Sequence, residues 1–315
     1  AYCGVCPWDV RAYSGLSSSV HYPLQMGHEV AGVVAEVGAG VRDLAVGDRV
    51  GVDVIRRCGV CPACKRGFEN LCKRADSSRG GYAEYILVPA QNVYRLRDST
   101  RLIAVALAEP LACVVRGQRR VSVAAGDTAL VMGCGPLGLL HIQVLKATGA
   151  RVIGADLLER RLAVARLLGA DATVNPSQQD LGQKVASETD GAGVDVAIVA
   201  VSQIEAARQA LLQLGSGGRM LLFAGIYPKA ELVLDPNLIH YRELLITGTS
   251  DYTPSEFATA VHLIEHDIVR IVPLISRVYH LNEVAAALAS VSAREGLKTV
   301  VRCSDQEPFE SEVTL

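Results

Sequence analysis

Aromatic residues are scarce, at 5 % of 315, with a single tryptophan. Charge of one sign is scarce too: 31 Lys and Arg stand against 33 Asp and Glu, a net charge of −2. Such a chain offers no global basic field for nucleic acid and no polybasic run for an anionic membrane surface. Long hydrophobic runs are missing as well. The stretch Leu102 to Val115 is broken by Glu109 and Pro110, and nothing reaches the ~20 apolar residues that a spanning helix needs. Half the residues are nevertheless apolar, so a chain of this length can bury a large core and supply two domains. Neither an initiator Met nor a signal peptide is present. Ala1 to Cys6 reads as a strand end entering a loop, so a preceding segment is expected. The tail Ser304 to Leu315 is acidic and aperiodic, and is expected to be mobile.

Cysteine is what the chain does have. There are nine, an odd number that fits a reducing compartment, the cytoplasm, better than a secreted disulfide scaffold. Four of them, Cys58, Cys61, Cys64 and Cys72, follow the pattern C-x2-C-x2-C-x7-C. A loop that returns a thiolate every third residue can wrap four sulfurs tetrahedrally round one ion, and zinc is the ion such a site most often holds. Four protein ligands leave no open position, so this zinc is structural. Ordinary buried or disulfide-bonded cysteines do not require a strict period of three. The flanking Arg56, Arg57, Lys65, Arg66 and Lys73 are expected to offset part of the thiolate charge.

Residues 1 to about 115 carry short β-rich runs, Val30 to Val37, Arg49 to Val54 and Tyr82 to Val88, punctuated by Gly, Pro and Asp. From about Val121 the texture changes. Apolar strands at 129–133, 151–156, 194–201 and 219–225 alternate with helices at 137–148 and 159–168. Strands apolar on both faces, alternating with helices, predict an α/β fold with a parallel sheet covered on both sides. A strand at 244–249, a helix at 254–266 and a strand–helix–strand stretch to Cys303 complete the chain.

Gly133-Cys134-Gly135-Pro136-Leu137-Gly138 fits G-x-G-x-x-G, follows a predicted strand and opens a predicted helix. Gly133 permits the tight turn, Gly135 lets the backbone approach a pyrophosphate, and Gly138 permits close helix–strand packing, with the phosphate at the helix N-terminus. The next strand ends in Asp156, 18 residues after Gly138 (156 − 138). A carboxylate there can accept from both ribose hydroxyls of NAD and repel the extra phosphate of NADP, although Arg160 and Arg161 offer that phosphate a partner. Dinucleotide binding is therefore expected, with NAD as the cofactor. Gly27-His28-Glu29 sets a His beside a carboxylate; with Cys6 upstream and Glu109 in Glu109-Pro110-Leu111 it makes a mixed ligand set with room for water or substrate, the pattern of a catalytic zinc. The other histidines, His21, His141, His240, His262, His266 and His280, have no metal spacing.

Taken in order, Cys6-Pro7-Trp8-Asp9, Gly27-His28-Glu29-Val30-Ala31-Gly32, the four-cysteine lobe, Glu109-Pro110-Leu111 and the glycine motif resemble the zinc-dependent medium-chain dehydrogenases over nearly the whole chain. The Glu-Pro-Leu element and Glu29 are most similar to the sorbitol (polyol) and threonine dehydrogenase branch. The resemblance implies a GroES-like catalytic domain at 1–118 with its zinc lobe at about 56–74. It implies a Rossmann domain at 119–268, a return to the first domain at 269–303 and a tail at 304–315. It also implies that Cys6, His28 and Glu29 bind the catalytic zinc, with Glu109 beside it, and that Asp9 orients the His28 imidazole. Arg161 would flank the adenosine ribose and Lys298 would sit near the pyrophosphate.

Two positions depart from the family. Trp8 stands where the family usually has Ser or Thr, and Arg11 where it often has His, so the usual proton relay is replaced. Glu109, with a water at the metal, is the expected substitute, and Trp8 would wall the pocket or stack on a sugar ring. The implied reaction is hydride transfer between NAD and a secondary alcohol, with a polyol or sugar-derived alcohol as the expected small-molecule substrate and a homodimer or homotetramer as the expected assembly. Threonine or a simple diol is the alternative substrate. A non-catalytic NAD- and zinc-binding relative is the alternative of another class, and a zinc-ribbon nucleic-acid binder is disfavoured by charge.

Overall fold

A computed structural model describes residues 1–17, 20–77 and 80–305, so residues 306–315 of the predicted tail lie outside the described residues. The chain divides into two compact units, residues 1–112 with 252–315, and residues 113–251.

The first unit is built on a six-stranded sheet in the order Ile275–His280, Lys298–Arg302, Tyr2–Gly4, Glu29–Val33, Arg49–Val52, Val93–Arg95. Its pairings are antiparallel except the parallel pair 275–280 with 298–302. The register sets Cys3 between Val30 and Val301, and these side chains join Val5, Val50, Val52 and Leu288 in one apolar core. One expectation is corrected here. The run 82–88 pairs with no strand: Tyr82 gives its N–H to the Met26 carbonyl, while Ile86 and Val88 pack on the core beside a groove of about 740 Å³. The helix Pro254–Glu265 groups with the first unit. Its Phe257 packs on Tyr94 and Tyr252, and its Glu265 accepts from Thr100, contacts that hold it to the antiparallel sheet.

The second unit is an all-parallel sheet in the order Leu245–Gly248, Leu214–Leu222, Val194–Val199, Thr128–Met132, Arg151–Ala155, Ala172–Val174. The strand order reverses at 128–132, which makes the sheet doubly wound and puts its ligand crevice at the carboxyl end of that strand. The helix Pro136–Thr148 follows directly. Pro136 starts it and Gly149, at φ +90°, stops it with its N–H on the Leu145 and Lys146 carbonyls. Its buried face carries Leu139, Leu140, Ile142 and Leu145, and also His141.

His141 is fully buried; the Gln118 amide lies 3.3 Å from its Nδ1 and the Phe223 ring meets it edge-on with centroids 4.4 Å apart, while its Nε2 has no hydrogen-bond partner among the described residues. Burial pushes its pKa down to about 3. The unfolded chain, with an ordinary His near 6.5, therefore binds a proton that the folded chain refuses. This stability is present above pH 6.5 and is lost as pH falls towards 3, at about 1.4 kcal/mol per pH unit. Urea unfolding between pH 6.5 and 4.5 should show a shallower acid loss for His141→Gln than for the wild type; equal slopes would mean that His141 is not held neutral.

Candidate active site

Cys6 caps the helix Pro7–Tyr13, and the cap explains the local geometry. The Trp8 N–H donates to the Cys6 Sγ at 3.4 Å, and Asp9, three residues into the helix, returns its Oδ2 to the Cys6 N–H at 3.0 Å. This capping box fixes thiol and carboxylate together. His28 comes just before the neighbouring strand Glu29–Val33, whose first residue Glu29 pairs with Gly4. Ligand atoms of Cys6, His28 and Glu29 all lie within 4.8 Å of one another. Asp9, fully buried, sets Oδ1 3.3 Å from His28 Nδ1, a contact looser than an aligned hydrogen bond. Burial alone would push the His28 pKa down; the carboxylate of Asp9, then Cys6 and Glu109, outweigh it and hold the imidazole well above its ordinary value. Burial likewise opposes ionisation of Asp9, yet His28 and the Cys6 N–H hold its carboxyl below the usual range.

Glu109 lies in the first turn of the helix Ala108–Arg120 and is half-buried. Its charge acts on both His28 and Lys298, but it does not join the close trio. Trp8 meets the His28 ring edge-on, with centroids 5.7 Å apart and planes at 85°, while Arg11 is exposed at the far end of its helix. Lys298, expected near a pyrophosphate, has another partner. Its buried ammonium lies 2.5 Å from Glu29 Oε1 and 3.0 Å from the Val5 carbonyl. Burial would lower its pKa, and Glu29 more than compensates. The second Glu29 oxygen, Oε2, is buried with no hydrogen-bond partner among the described residues. An orphaned carboxylate oxygen beside a thiol and an imidazole is a donor set that suits a zinc ion with an open position.

The lobe cysteines form a separate cluster. Cys61 Sγ lies 3.5 Å from that of Cys64 and 3.9 Å from that of Cys72, and Cys72 lies 3.5 Å from Cys58. A tetrahedron with Zn–S arms of ~2.3 Å has edges of about 3.8 Å, so the cage fits zinc. The thiols titrate unevenly: the Val60 N–H leads in lowering Cys58 to about 6, while burial pushes Cys64 up to about 12. Asp53 roots the lobe in the sheet. It takes Arg57 Nη1 at 2.5 Å and the Tyr252 hydroxyl at 2.9 Å, and Arg57 also donates to the Tyr252 carbonyl. Arg57 is thus a strut of the lobe's base, a role its sequence neighbours did not suggest.

In the second unit Gly133 sits at φ +96°, where a Cβ would meet Val201 at 2.2 Å, and a Cβ on Gly138 would meet the Gly133 carbonyl at 1.8 Å. Side chains are excluded from this turn, which leaves the cradle that a pyrophosphate requires. Gly135 caps the helix that Pro136 and Leu137 open. Asp156 accepts the Cys134 N–H at 2.8 Å and the Leu158 N–H at 2.9 Å, one on each oxygen, and Arg161 Nη1 lies 3.6 Å from it. Each oxygen keeps a second lone pair for a ribose hydroxyl. Sequence reasoning missed Tyr82, whose hydroxyl donates to Asp9 Oδ2 at 2.9 Å; the only signal was its place after Gly80-Gly81.

Known proteins share this architecture. Residues 1–98 match the alcohol dehydrogenase GroES-like domain and residues 136–266 the zinc-binding dehydrogenase family. D-arabitol-phosphate dehydrogenase of Enterococcus avium is 32% identical over 98% of this chain and 89% of its own length. L-threonine 3-dehydrogenase of Pyrococcus furiosus is 36% identical over 87% of this chain and 81% of its own. A zinc-binding dehydrogenase from Sinorhizobium meliloti, solved bound to NADP, superposes with a TM-score of 0.90 at 31% identity, covering 95% of this chain and 89% of that one. Likeness of this extent in sequence and in fold makes the chain a member of the zinc-dependent medium-chain dehydrogenases, an oxidoreductase acting on small-molecule alcohols.

Proposed function

We propose that this enzyme oxidises a secondary alcohol of a polyol or sugar-derived substrate with NAD, at a zinc held by Cys6, His28 and Glu29, with Cys58, Cys61, Cys64 and Cys72 holding a second, structural zinc. The observation that carries the reading is the close trio of thiol, imidazole and orphaned carboxylate. When bound, zinc polarises the alcohol oxygen and the nicotinamide takes the hydride. The chain's own residues do the rest. Asp9 holds the Nδ1 side of His28 and leaves Nε2 as the ligand atom. Trp8 stands edge-on to His28 and walls the substrate side, but its indole has only an N–H and cannot take a proton. Besides Asp9, which is held by His28 and the Cys6 N–H, Glu109 is a carboxylate whose charge acts on His28, and it is our candidate for receiving the alcohol proton. Asp156 takes the ribose hydroxyls, Arg161 flanks them, and Gly133, Gly135, Pro136, Leu137 and Gly138 form the pyrophosphate turn. Lys298 we assign to Glu29 rather than to the pyrophosphate.

The polyol class is supported by the D-arabitol-phosphate relative, and the threonine relative names the competing substrate. The NADP-bound neighbour makes the cofactor part of the test. No helix of the described residues is long and apolar enough to cross a membrane, and cysteines that form no disulfide among the described residues suit the cytoplasm. The edge strand Leu245–Gly248, with Leu245 half exposed, suits strand pairing in a homodimer or homotetramer. The test is initial rates on a panel of pentitols, hexitols, their phosphates, threonine and butanediols, each with NAD and NADP. A polyol or polyol phosphate with NAD should have the highest kcat/KM. Threonine leading, or NADP leading, would refute that part of the reading.

A further inference from the structure

Tyr82 lies on a segment that pairs with no strand, yet its backbone is fixed. The N–H groups of Gly80 and Gly81 both donate to the Gly27 carbonyl, at 3.2 and 3.1 Å, and the Tyr82 N–H donates to Met26 at 3.2 Å. The residue after that pair of carbonyls is His28. The Tyr82 side chain reaches the other ligand-bearing segment, with its hydroxyl 2.9 Å from Asp9 Oδ2 and 3.4 Å from the Gly4 carbonyl. One residue thus spans from the segment that carries His28 to the cap that carries Cys6.

The carboxylate of Asp9 then has three donors facing it. Oδ2 takes the Cys6 N–H and the Tyr82 hydroxyl, and Oδ1 faces His28 Nδ1. With both of its donors in place Oδ2 cannot rotate, and Oδ1 is aimed at the imidazole. Without the hydroxyl, one N–H on Oδ2 is a single pivot, and the carboxylate can turn away from His28. We propose that Tyr82 is a positioning residue for the catalytic metal: its hydroxyl locks Asp9, and through Asp9 it sets the orientation of His28 as a ligand. This inference rests on the metal reading above.

Tyr82→Phe removes the hydroxyl and keeps the ring. Outer partners of ligand histidines typically contribute 10–100-fold to metal affinity. We expect zinc affinity at the Cys6–His28–Glu29 site, measured by chelator competition on the intact protein, to fall by about that factor, with zinc at the four cysteines unmoved. Cobalt placed in the open site should show a shifted visible spectrum in the variant. The loss in Tyr82→Phe should be largely contained in that of Asp9→Asn, so that the double variant loses less than the product of the two. Three results would overturn the proposal: unchanged open-site affinity and spectrum, fully multiplicative losses, or loss of both zinc ions together, which would assign Tyr82 to the fold. A wild type that holds no open-site zinc would instead sink the metal reading itself, and the two failures are distinguishable.

Discussion

Lys298→Met is expected to destabilise the first unit by about 3–5 kcal/mol, measured by urea unfolding of protein whose Cys6–His28–Glu29 site has been stripped by chelator. The substitution keeps the aliphatic stem and removes the ammonium that lies 2.5 Å from Glu29 Oε1. Glu29 is 1% exposed and Lys298 7%, and the other carboxylate oxygen is without a hydrogen-bond partner, so with no metal at this site the anion would be left uncompensated among apolar strands. A buried pair is worth little beyond what two apolar residues would give, but a buried single charge is expensive. The double variant Lys298→Met with Glu29→Gln should therefore recover most of the loss. Additive destabilisation in the double variant would show that the pair is not coupled.

The second large effect is expected from His28→Ala. The substitution removes one of three protein ligands and leaves Asp9 buried without its imidazole partner. Zinc should fall from two to one per chain. Turnover should fall by well over the ~10–100-fold typical of an outer partner's loss. The four-cysteine zinc should remain, because its ligands come from a separate loop with its own base of Asp53, Arg57 and Tyr252. Turnover near the wild-type value would remove His28 from the site.

The sequence made these features legible to different depths. The parallel sheet was readable because the strands at 129–133, 151–156 and 194–201 are apolar on both faces and the first two are each followed by a helix; the short strand Ala172–Val174 and the helices Leu181–Glu188 and Ile204–Leu212 were not read. The two side-chain clusters were legible in part because members lie close in sequence: the lobe cysteines span Cys58 to Cys72, and His28 and Glu29 are adjacent, with Cys6 22 residues before His28 (28 − 6). The Lys298–Glu29 pair was not legible because the partners lie 269 residues apart in the chain, and no local pattern reports a buried pair that a sheet register creates. Tyr82 was missed for the same reason, with Asp9 73 residues distant. The β-rich composition of 82–88 suggested a strand, but composition does not report whether a neighbour exists to take the backbone hydrogen bonds. The helix 254–265 carried no mark of its unit, because its attachment depends on Phe257 meeting Tyr94 and Tyr252.

The central claim is that this chain builds two zinc sites, one closed by four cysteines and one left open for an alcohol. Zinc per chain on purified, desalted protein, beside its NAD-dependent activity, tests that most directly. The account predicts two ions, with activity lost when the more labile one is removed by chelator and restored by one equivalent of zinc. One ion or none in active protein, or activity indifferent to the loss of the labile ion, would contradict it.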